Sequence, residues 1–122
     1  MKYFLSPLLI ITVLSTALET NNIAMASGSL KDVDFEVFGE VQGVFFRKYT
    51  KEQASKLGLR GWCKNTSAGT VLGHMQGPSD KIEVMMHWLK NVGSPSSRID
   101  KAEFRNEKVV SEYSFDAFTI KK

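Results

Sequence analysis

The chain has 122 residues, which is enough for one domain and too short for two of ordinary size. Its 16 basic and 13 acidic residues give a net charge of +3, too small an excess to indicate a nucleic-acid-binding protein. The single cysteine, Cys63, excludes a framework of disulfides within the chain.

Residues 1–30 differ from the rest of the chain and are predicted to be a leader, signal-peptide-like or disordered. Lys2 precedes an apolar run from Phe4 to Leu14, and the small residues Ala24-Met25-Ala26 follow. This order is typical of a signal peptide, and the apolar run is short for a membrane span. One interpretation is therefore a protein that is secreted or held in the ER lumen.

Two features favour a cytoplasmic protein instead. Met25 can itself serve as the start of translation, and Asn65-Thr66-Ser67 is the only N-glycosylation sequon in the sequence. A glycan at Asn65 would block a residue to which a function is assigned below. We therefore predict a cytoplasmic protein with one domain over residues 31–122, which makes no stable association with a membrane.

A strand is predicted from Val33 to Phe38, where apolar and acidic residues alternate. A helix is predicted from Lys48 to Leu57, and Gly58 suits its C-terminal end. The loop between them has glycine near both ends and leads into a helix, so it brings several backbone N–H groups to one point. The helix dipole adds partial positive charge there, which makes this corner a candidate anion site.

Arg47 stands at the start of this helix and supplies a planar cation that suits phosphate. The alternative is a tight turn in which Gly39 and Gly43 serve only the backbone geometry, and a short glycine motif taken alone favours that alternative. The candidate cradle consists of the backbone N–H groups of five consecutive residues: Glu40, Val41, Gln42, Gly43 and Val44.

Beyond Gly58 the pattern predicts a hairpin, a second helix and two further strands. The hairpin joins Leu59–Asn65 to Thr70–Gln76 through a turn. Ser79 is expected to cap the second helix, and Gly93 to end it. The buried face of that helix is predicted to carry Ile82, Met85, Met86, Leu89 and Val92.

The last two strands are predicted from Ile99 to about Val110, with Ala102, Phe104 and Asn106 on one side, and from Tyr113 to Ile120. The element order is then β-α-β-β-α-β with a short extra strand at the end. This order predicts an α+β fold of the ferredoxin-like, split βαβ type, with two helices on one face of an antiparallel sheet.

Two stretches of the sequence resemble the signatures of the acylphosphatase family. The first runs from Gly39 to Arg47 and continues as Lys48-Tyr49-Thr50; the second is Gly61-Trp62-Cys63-Lys64-Asn65-Thr66, followed by Gly69-Thr70-Val71. Leu72 to Pro78 and Gly93 to Ser97 are similar to the family as well. Two signatures in order and at family spacing are far more specific than a lone motif. The resemblance covers the chain from Val33 to its end, and the leader departs from it.

The resemblance implies the same ferredoxin-like fold and an enzyme, an acylphosphatase, that hydrolyses the carboxyl–phosphate bond of small acyl phosphates. It implies no metal, no cofactor and no covalent intermediate. The phosphate-binding arginine of the family falls on Arg47, its water-orienting asparagine on Asn65, and its cradle on residues 40–44. We expect a monomer whose partner is a small-molecule acyl phosphate and which does not bind nucleic acid.

This chemistry needs little acid–base machinery, because the carboxylate of an acyl phosphate is already a good leaving group. It needs a phosphoryl group held still and a water molecule in line with the breaking bond. Asn65 can offer such a water an acceptor and a donor. Taken alone, however, an asparagine beside a turn is more often a local capping residue.

Two other functions stay open. An RNA-recognition module has the same element order, but it needs aromatic residues on its central strands, and Val44-Phe45-Phe46 is only a faint match at a loop. The other open function is a non-catalytic module that senses phosphate or acyl phosphate.

No His, Cys, Asp or Glu cluster in the sequence has zinc spacing. His74 is predicted to lie on a sheet face, and Cys63 to be a small strand residue or a redox-sensitive thiol.

Overall fold

The computed structural model describes residues 29–122. Apart from Ser29 and Leu30, the predicted leader and its Met25 start lie outside these residues. The predicted element order and the α+β ferredoxin-like fold are confirmed. The elements are β1 (Leu30–Glu40), α1 (Phe46–Lys56), β2 (Arg60–Asn65), β3 (Val71–Pro78), α2 (Ser79–Asn91), β4 (Arg98–Val110) and β5 (Phe118–Ile120).

The five strands form one sheet in the order β4-β1-β3-β2-β5. The pairs β1–β3, β1–β4 and β2–β3 are antiparallel, as predicted, whereas β2 and β5 run parallel, with Gly61 opposite Phe118 and Cys63 opposite Ile120. The chain direction explains this mixed sheet. Strand β5 returns antiparallel to β4, and β4 is itself antiparallel to β1 and β2, so β5 must point the same way as β2.

The core lies between the sheet and the two helices. Strand β1 buries Val33, Phe35 and Val37 completely, and fully burying such a side chain stabilises the fold by about 1.5–3 kcal/mol. A β-carbon at Gly73 of β3 would collide with the ring of Phe35, so glycine is required there. The helices cover this face with the buried side chains Phe46 and Ala54 of α1 and Ile82, Met85 and Leu89 of α2.

Helix α2 differs from the prediction at both ends. Pro78 occupies its N-cap without a side-chain cap, and Ser79 is the first helical residue. The Ser79 N–H instead donates to the carbonyl of Ser29, the residue before β1, at 3.0 Å, and this backbone bond replaces the predicted cap. At the other end Val92 is 55% exposed, so the buried face stops at Leu89.

The predicted strand from Tyr113 to Ile120 is reduced to Phe118–Ile120. Residues 113–117 cross the sheet face that the helices leave open. Their backbone groups form hydrogen bonds there with side chains of the sheet. The Ser114 N–H donates to Gln76 Oε1 at 2.8 Å, and Arg60 donates to the Phe115 carbonyl at 3.3 Å. These side-chain bonds satisfy the segment without strand pairing.

Strand β4 contains a bulge. Asn106 has a left-handed conformation, with φ of 56°, and the register with β1 shifts between Asp32 and Asp34. The predicted alternation therefore fails after Phe104: Ala102 and Phe104 pack against the core, whereas the Asn106 amide donates to Asp34 at 2.8 Å. Among residues 29–122, no helix is long and apolar enough to cross a membrane.

Candidate active site

The connection between β1 and α1 is tight and conformationally unusual. Five residues join the two elements, and both Gly43 (φ 74°) and Phe45 (φ 59°) have left-handed backbones. For a residue with a β-carbon this conformation costs about 1–2 kcal/mol. Phe45 is the N-cap of α1, and its side chain is 71% exposed. The backbone is thus strained at Phe45.

The same corner holds a set of unsatisfied backbone donors. The first hydrogen bond of α1 runs from the Tyr49 N–H to the Phe45 carbonyl at 3.0 Å, so the N–H groups of residues 46–48 have no partner within the helix. In the described part of the chain, the N–H groups of residues 41–44 donate to no backbone carbonyl. Glu40 differs from the rest of the predicted cradle, because it ends β1 and its carboxylate accepts a hydrogen bond from Arg98 at 2.8 Å.

Hydrogen bonds from the side chains of Ser94 and Gln42 hold the loop from two sides. Ser94 donates to the Val44 carbonyl at 3.0 Å, and because a trans peptide is planar, the following Phe45 N–H points to the opposite side. On the other side, Gln42 Nε2 donates to the carbonyls of Thr66 and Thr70, each at 2.9 Å. Gln42, predicted only as a backbone donor, therefore also fixes the loop against the hairpin turn.

Arg47 lies half-buried in the first turn of α1 and lines a cleft of about 520 Å³. None of the ion pairs found among residues 29–122 includes it. The other residues that line the cleft are Val41, Gly43, Phe45, Phe46, Lys48, Ile120 and Lys122. A cation without an internal counter-ion is therefore available to an anion in this cleft.

Asn65 is the last residue of β2, at the edge of the sheet where β1 ends and α1 begins. Its side-chain Oδ1 is buried and has no hydrogen-bond partner within the described residues. Leaving a buried acceptor unpaired costs about 1–3 kcal/mol, and native folds rarely do so. Asn65 is not the cap of the following turn, because the hydroxyl of Thr66 accepts the N–H groups of Ala68 and Thr70 at 3.2 Å each.

Two threonines that the sequence reasoning did not single out hold this turn. The hydroxyls of Thr66 and Thr70 lie 2.6 Å apart, and Thr70 donates to Glu36 at 2.7 Å. Arg105 also donates to Glu36, at 3.0 Å. The bonds from Thr70 and then Arg105 lower the pKa of the Glu36 carboxyl. The signal that could have found both threonines is their position on either side of the predicted turn, next to Asn65.

Comparison with known proteins identifies the family to which this chain belongs. Residues 33–120 match the family model described as Acylphosphatase. The chain belongs to the acylphosphatase family. Acylphosphatase-2 of Gallus gallus is 60% identical over 99 residues, which cover 81% of this chain and 96% of that protein.

Two solved bacterial acylphosphatases have the same fold. That of Bacillus subtilis superposes with a TM-score of 0.69 at 32% identity and covers 75% of this chain and 99% of its own. That of Coxiella burnetii gives 0.68 at 34% identity and covers 76% and 94%. The family match over residues 33–120 extends over the loop, the hairpin and both helices, so the corner described above lies within the part of the chain that the family shares.

Cys63 of this acylphosphatase is a buried strand residue, as predicted. Its Sγ lies 3.9 Å from the Arg47 carbonyl, and burial raises the pKa of the thiol to about 12. A thiol that stays protonated at neutral pH is a poor nucleophile, which disfavours the redox-sensitive alternative.

The two histidines lie away from the cleft lining. His74 is on the open sheet face, as predicted, with its ring nitrogens against Asp32 and Asp34. His87 is exposed on α2 and contacts Asn91. Among residues 29–122, no group of three His, Cys, Asp or Glu side chains is arranged to hold a metal ion.

Proposed function

We propose that this acylphosphatase holds the phosphoryl group of a small acyl phosphate with Arg47 and the loop amides, and orients the attacking water with Asn65. Family membership makes the reaction the hydrolysis of an acyl phosphate to a carboxylate and orthophosphate. The observation that carries the proposed roles is that unpaired polar groups lie at one end of the sheet: the loop N–H groups and the Arg47 guanidinium at the cleft, and Asn65 Oδ1 at the end of β2.

The first role is to bind and stabilise the phosphoryl oxygens. Preorganised donors aimed at developing charge are worth about 3 kcal/mol each in catalysis. The helix N-terminus adds a favourable dipole for an anion. Because Arg47 has no counter-ion within the described residues, it need not break an ion pair to bind the phosphoryl group.

The second role is to place the water. The water oxygen forms a bond to phosphorus while the bond from phosphorus to the carboxyl oxygen breaks. The electron pair of that bond leaves with the carboxylate, and the water protons pass to orthophosphate and solvent. The side-chain amide of Asn65 offers the water a hydrogen-bond acceptor and a donor and so directs its lone pair at phosphorus. No general acid is required, since the leaving carboxylate needs no proton, and no strong base is required, since the bond to so good a leaving group is labile.

The reaction test uses acetyl phosphate at near-neutral pH in the presence of EDTA. We expect full turnover under chelation, because the proposed donors all belong to the protein. Arg47→Lys and Asn65→Ala proteins purified in the same way control for contaminating phosphatases. Loss of turnover in EDTA that a divalent metal restores would contradict this mechanism, and absence of turnover with intact phosphate binding would support the non-catalytic alternative.

We expect no binding of RNA. That function needs several exposed aromatic rings on the two central strands, but β3 carries no Phe, Tyr or Trp. Of the two phenylalanines of β1, Phe35 is fully buried, and Phe38 is half-buried with Lys101 Nζ 4.6 Å from its ring centroid. Titration with a single-stranded RNA should give no saturable binding at physiological salt. Tight binding that survives raised salt would contradict this expectation.

We propose a monomer in solution. Strand β4 is an edge of the sheet, and exposed charged side chains such as Lys101, Arg105 and Lys108 cover it, which opposes pairing with a second copy. Sedimentation equilibrium should give a single-chain mass, and a concentration-independent dimer mass would refute the proposal.

We also propose that the active form is cytoplasmic. The sequon places any glycan on the amide of Asn65, whose other side-chain atom is buried at the site, so glycosylation would obstruct the water position. Full-length chain with a C-terminal tag, expressed in eukaryotic cells, should be found in the cell extract. Active, unglycosylated protein in the medium, cleaved after Ala26, would overturn the proposal.

A further inference from the structure

Charged side chains are distributed unevenly over the described chain. All ion pairs found among residues 29–122 join side chains of β1, β3 and β4. In contrast, α1, β2 and residues 118–122 contain a single acidic residue, Glu52, and the following basic residues: Arg47, Lys48, Lys51, Lys56, Arg60, Lys64, Lys121 and Lys122. The net charge of the whole chain is only +3, so positive charge is concentrated on this side of the molecule.

Strand β5 lies at the centre of this basic region and forms an edge of the sheet. The Ala117 carbonyl and the Lys121 N–H form hydrogen bonds with β2 at 3.0 and 2.8 Å, so Ala117, Thr119 and Lys121 direct their backbone groups toward β2. Backbone groups alternate in direction along a strand, so those of Phe118 and Ile120 point away from β2. Among the described residues no strand lies beyond them, and an extended peptide can pair with such an edge.

Basic side chains flank the β5 edge on both faces of the sheet. On the helix face, a groove of about 640 Å³ lies between Ile120 and α1, whose contribution to the lining includes Lys48, Lys51 and Lys56. On the open face, Lys121 Nζ lies 4.3 Å and Lys64 Nζ 5.8 Å from the ring centroid of Trp62. Successive side chains of an added strand point to opposite faces, so a run of acidic residues would meet cations on both.

The opposite edge of the sheet has a different charge pattern. On β4, Lys101 Nζ lies 3.1 Å from the Glu103 carboxylate, which also pairs with Arg105. An edge that carries both signs, already paired, opposes the addition of any strand. An edge that carries only cations repels a second copy of itself but attracts an acidic segment. The β5 edge is therefore compatible with the proposed monomer and selective for one kind of partner.

The shape of the basic region distinguishes between anionic partners. Helix α1 has 11 residues and is about 16 Å long, and the cations continue from it around β5 to the open sheet face, which is more surface than a small acyl phosphate can contact. Cations on two opposite faces of a sheet cannot all lie on one flat membrane surface. Single-stranded nucleic acid uses exposed rings for stacking, whereas the Trp62 ring is half-buried with Lys121 over it.

We propose that the β5 edge binds an extended acidic segment of a partner protein. The segment adds to the five-stranded sheet beside β5, pairs with the outward backbone groups of Phe118 and Ile120, and places its carboxylates against the lysines of both faces. This inference goes beyond acyl phosphate hydrolysis and does not depend on it, because the binding surface requires neither Arg47, the loop amides nor Asn65.

The test titrates the purified protein with octaglutamate, acetylated and amidated at its ends, at about 50 mM and about 150 mM salt. We expect saturable binding that weakens at the higher salt, because exposed charges are screened. Lys56→Glu on the helix face and Lys121→Glu on the open face should each weaken binding about tenfold, since a like charge then faces the peptide. Octaglutamate N-methylated at every residue keeps its charges but has no N–H donors, and it should bind about tenfold more weakly than octaglutamate.

Lys90→Glu is the matched control. It makes the same charge change on α2, which packs against β1, β3 and β4, so it should leave binding unchanged. Thermal midpoints of the three variants show whether they are folded. Amide hydrogen exchange then locates the peptide: exchange of the Ile120 N–H should slow on binding, whereas that of the Thr119 N–H, which points toward β2, should hardly change.

Four results would each contradict the proposal. The first is the absence of saturable binding at about 50 mM salt. The second is equal weakening in Lys90→Glu, because net charge rather than the β5 edge would then attract the peptide. The third is binding that leaves Ile120 exchange unchanged or that the N-methylated peptide reproduces, because charge would then act without strand addition. The fourth is tighter binding of single-stranded RNA or of phosphatidylserine vesicles that displaces octaglutamate, which would assign the edge to another partner.

Discussion

Strand β1 and the start of helix α1 treat charged side chains in opposite ways. Along β1, Lys31 pairs with Glu107 at 2.6 Å, Glu36 with Arg105 at 3.0 Å and Glu40 with Arg98 at 2.8 Å. Beyond the loop, Arg47 of α1 has no ion pair among residues 29–122, and at the end of β2 Asn65 Oδ1 has no hydrogen-bond partner in the same part of the chain. The fold pairs its charges along the strand and leaves Arg47 unpaired at the cleft.

This contrast shows that residue type alone does not mark the site. His74, Asp32 and Asp34 together have the composition of a catalytic cluster. Their polar atoms, however, already form hydrogen bonds with one another and with neighbouring residues. Asn106 donates to Asp34 at 2.8 Å, and the Phe115 ring lies 5.5 Å from the His74 ring. The cleft lining has as many titratable side chains, Arg47, Lys48 and Lys122, but none of them forms an ion pair among residues 29–122. Unpaired polar groups are the better signal of ligand binding.

The largest expected effect comes from replacing the unpaired cation. Arg47→Lys should lower kcat/KM for acetyl phosphate about 10²- to 10³-fold, because a point charge cannot reproduce the planar fork of donors. Inhibition by orthophosphate should weaken in parallel, while the thermal midpoint stays near that of the wild type. Arg105→Lys, which alters a cation paired with Glu36 of β1, is the control and should keep its activity. An unchanged phosphate inhibition constant in Arg47→Lys would remove Arg47 from the phosphate site.

The next effect separates water placement from phosphate binding. Asn65→Ala should lower kcat about a hundredfold, the usual scale for one positioned catalytic group. Phosphate inhibition should hardly change, and the free energy of unfolding should not fall, since Asn65 Oδ1 has no partner in the described chain to lose.

Asn91→Ala, on α2, controls for the loss of an amide elsewhere. Asn65→Asp should also be slow, because a carboxylate would repel the phosphoryl oxygens. Weakened phosphate inhibition with normal single-turnover chemistry in Asn65→Ala would show that Asn65 binds phosphate and does not place the water.

Local patterns in the sequence predicted the loop, the start of α1 and the hairpin, because glycine placement and helical spacing act over a few residues. The contacts that complete the site are not local. Gln42 reaches Thr66 and Thr70, which lie 24 and 28 residues further along the chain, and Ser94 reaches Val44 across 50 residues. Ile120 comes to the cleft only because β5 pairs with β2. A sequence pattern read over a few residues carries no information on contacts between residues so far apart in the chain.

The smallest expected effect concerns Glu36, a paired carboxylate of β1. Hydrogen bonds from Thr70 and Arg105 lower the pKa of Glu36, so the folded state favours the ionised carboxylate. Its contribution to the free energy of unfolding is complete above the ordinary pKa of 4.5 and is lost as the pH falls through the lower folded pKa. Glu36→Gln should therefore destabilise the protein by about 1 kcal/mol at pH 7 and by much less near pH 3.

Urea denaturation of the wild type and Glu36→Gln at both pH values measures this difference, with the exposed Glu112→Gln as the control. Turnover in Glu36→Gln should fall far less than in Asn65→Ala, because a glutamine oxygen can still accept the hydrogen bond from Thr70. A destabilisation of equal size at pH 7 and pH 3 would mean that the charge of Glu36 contributes nothing. The contrast between β1 and the start of α1 would then rest on hydrogen bonding alone.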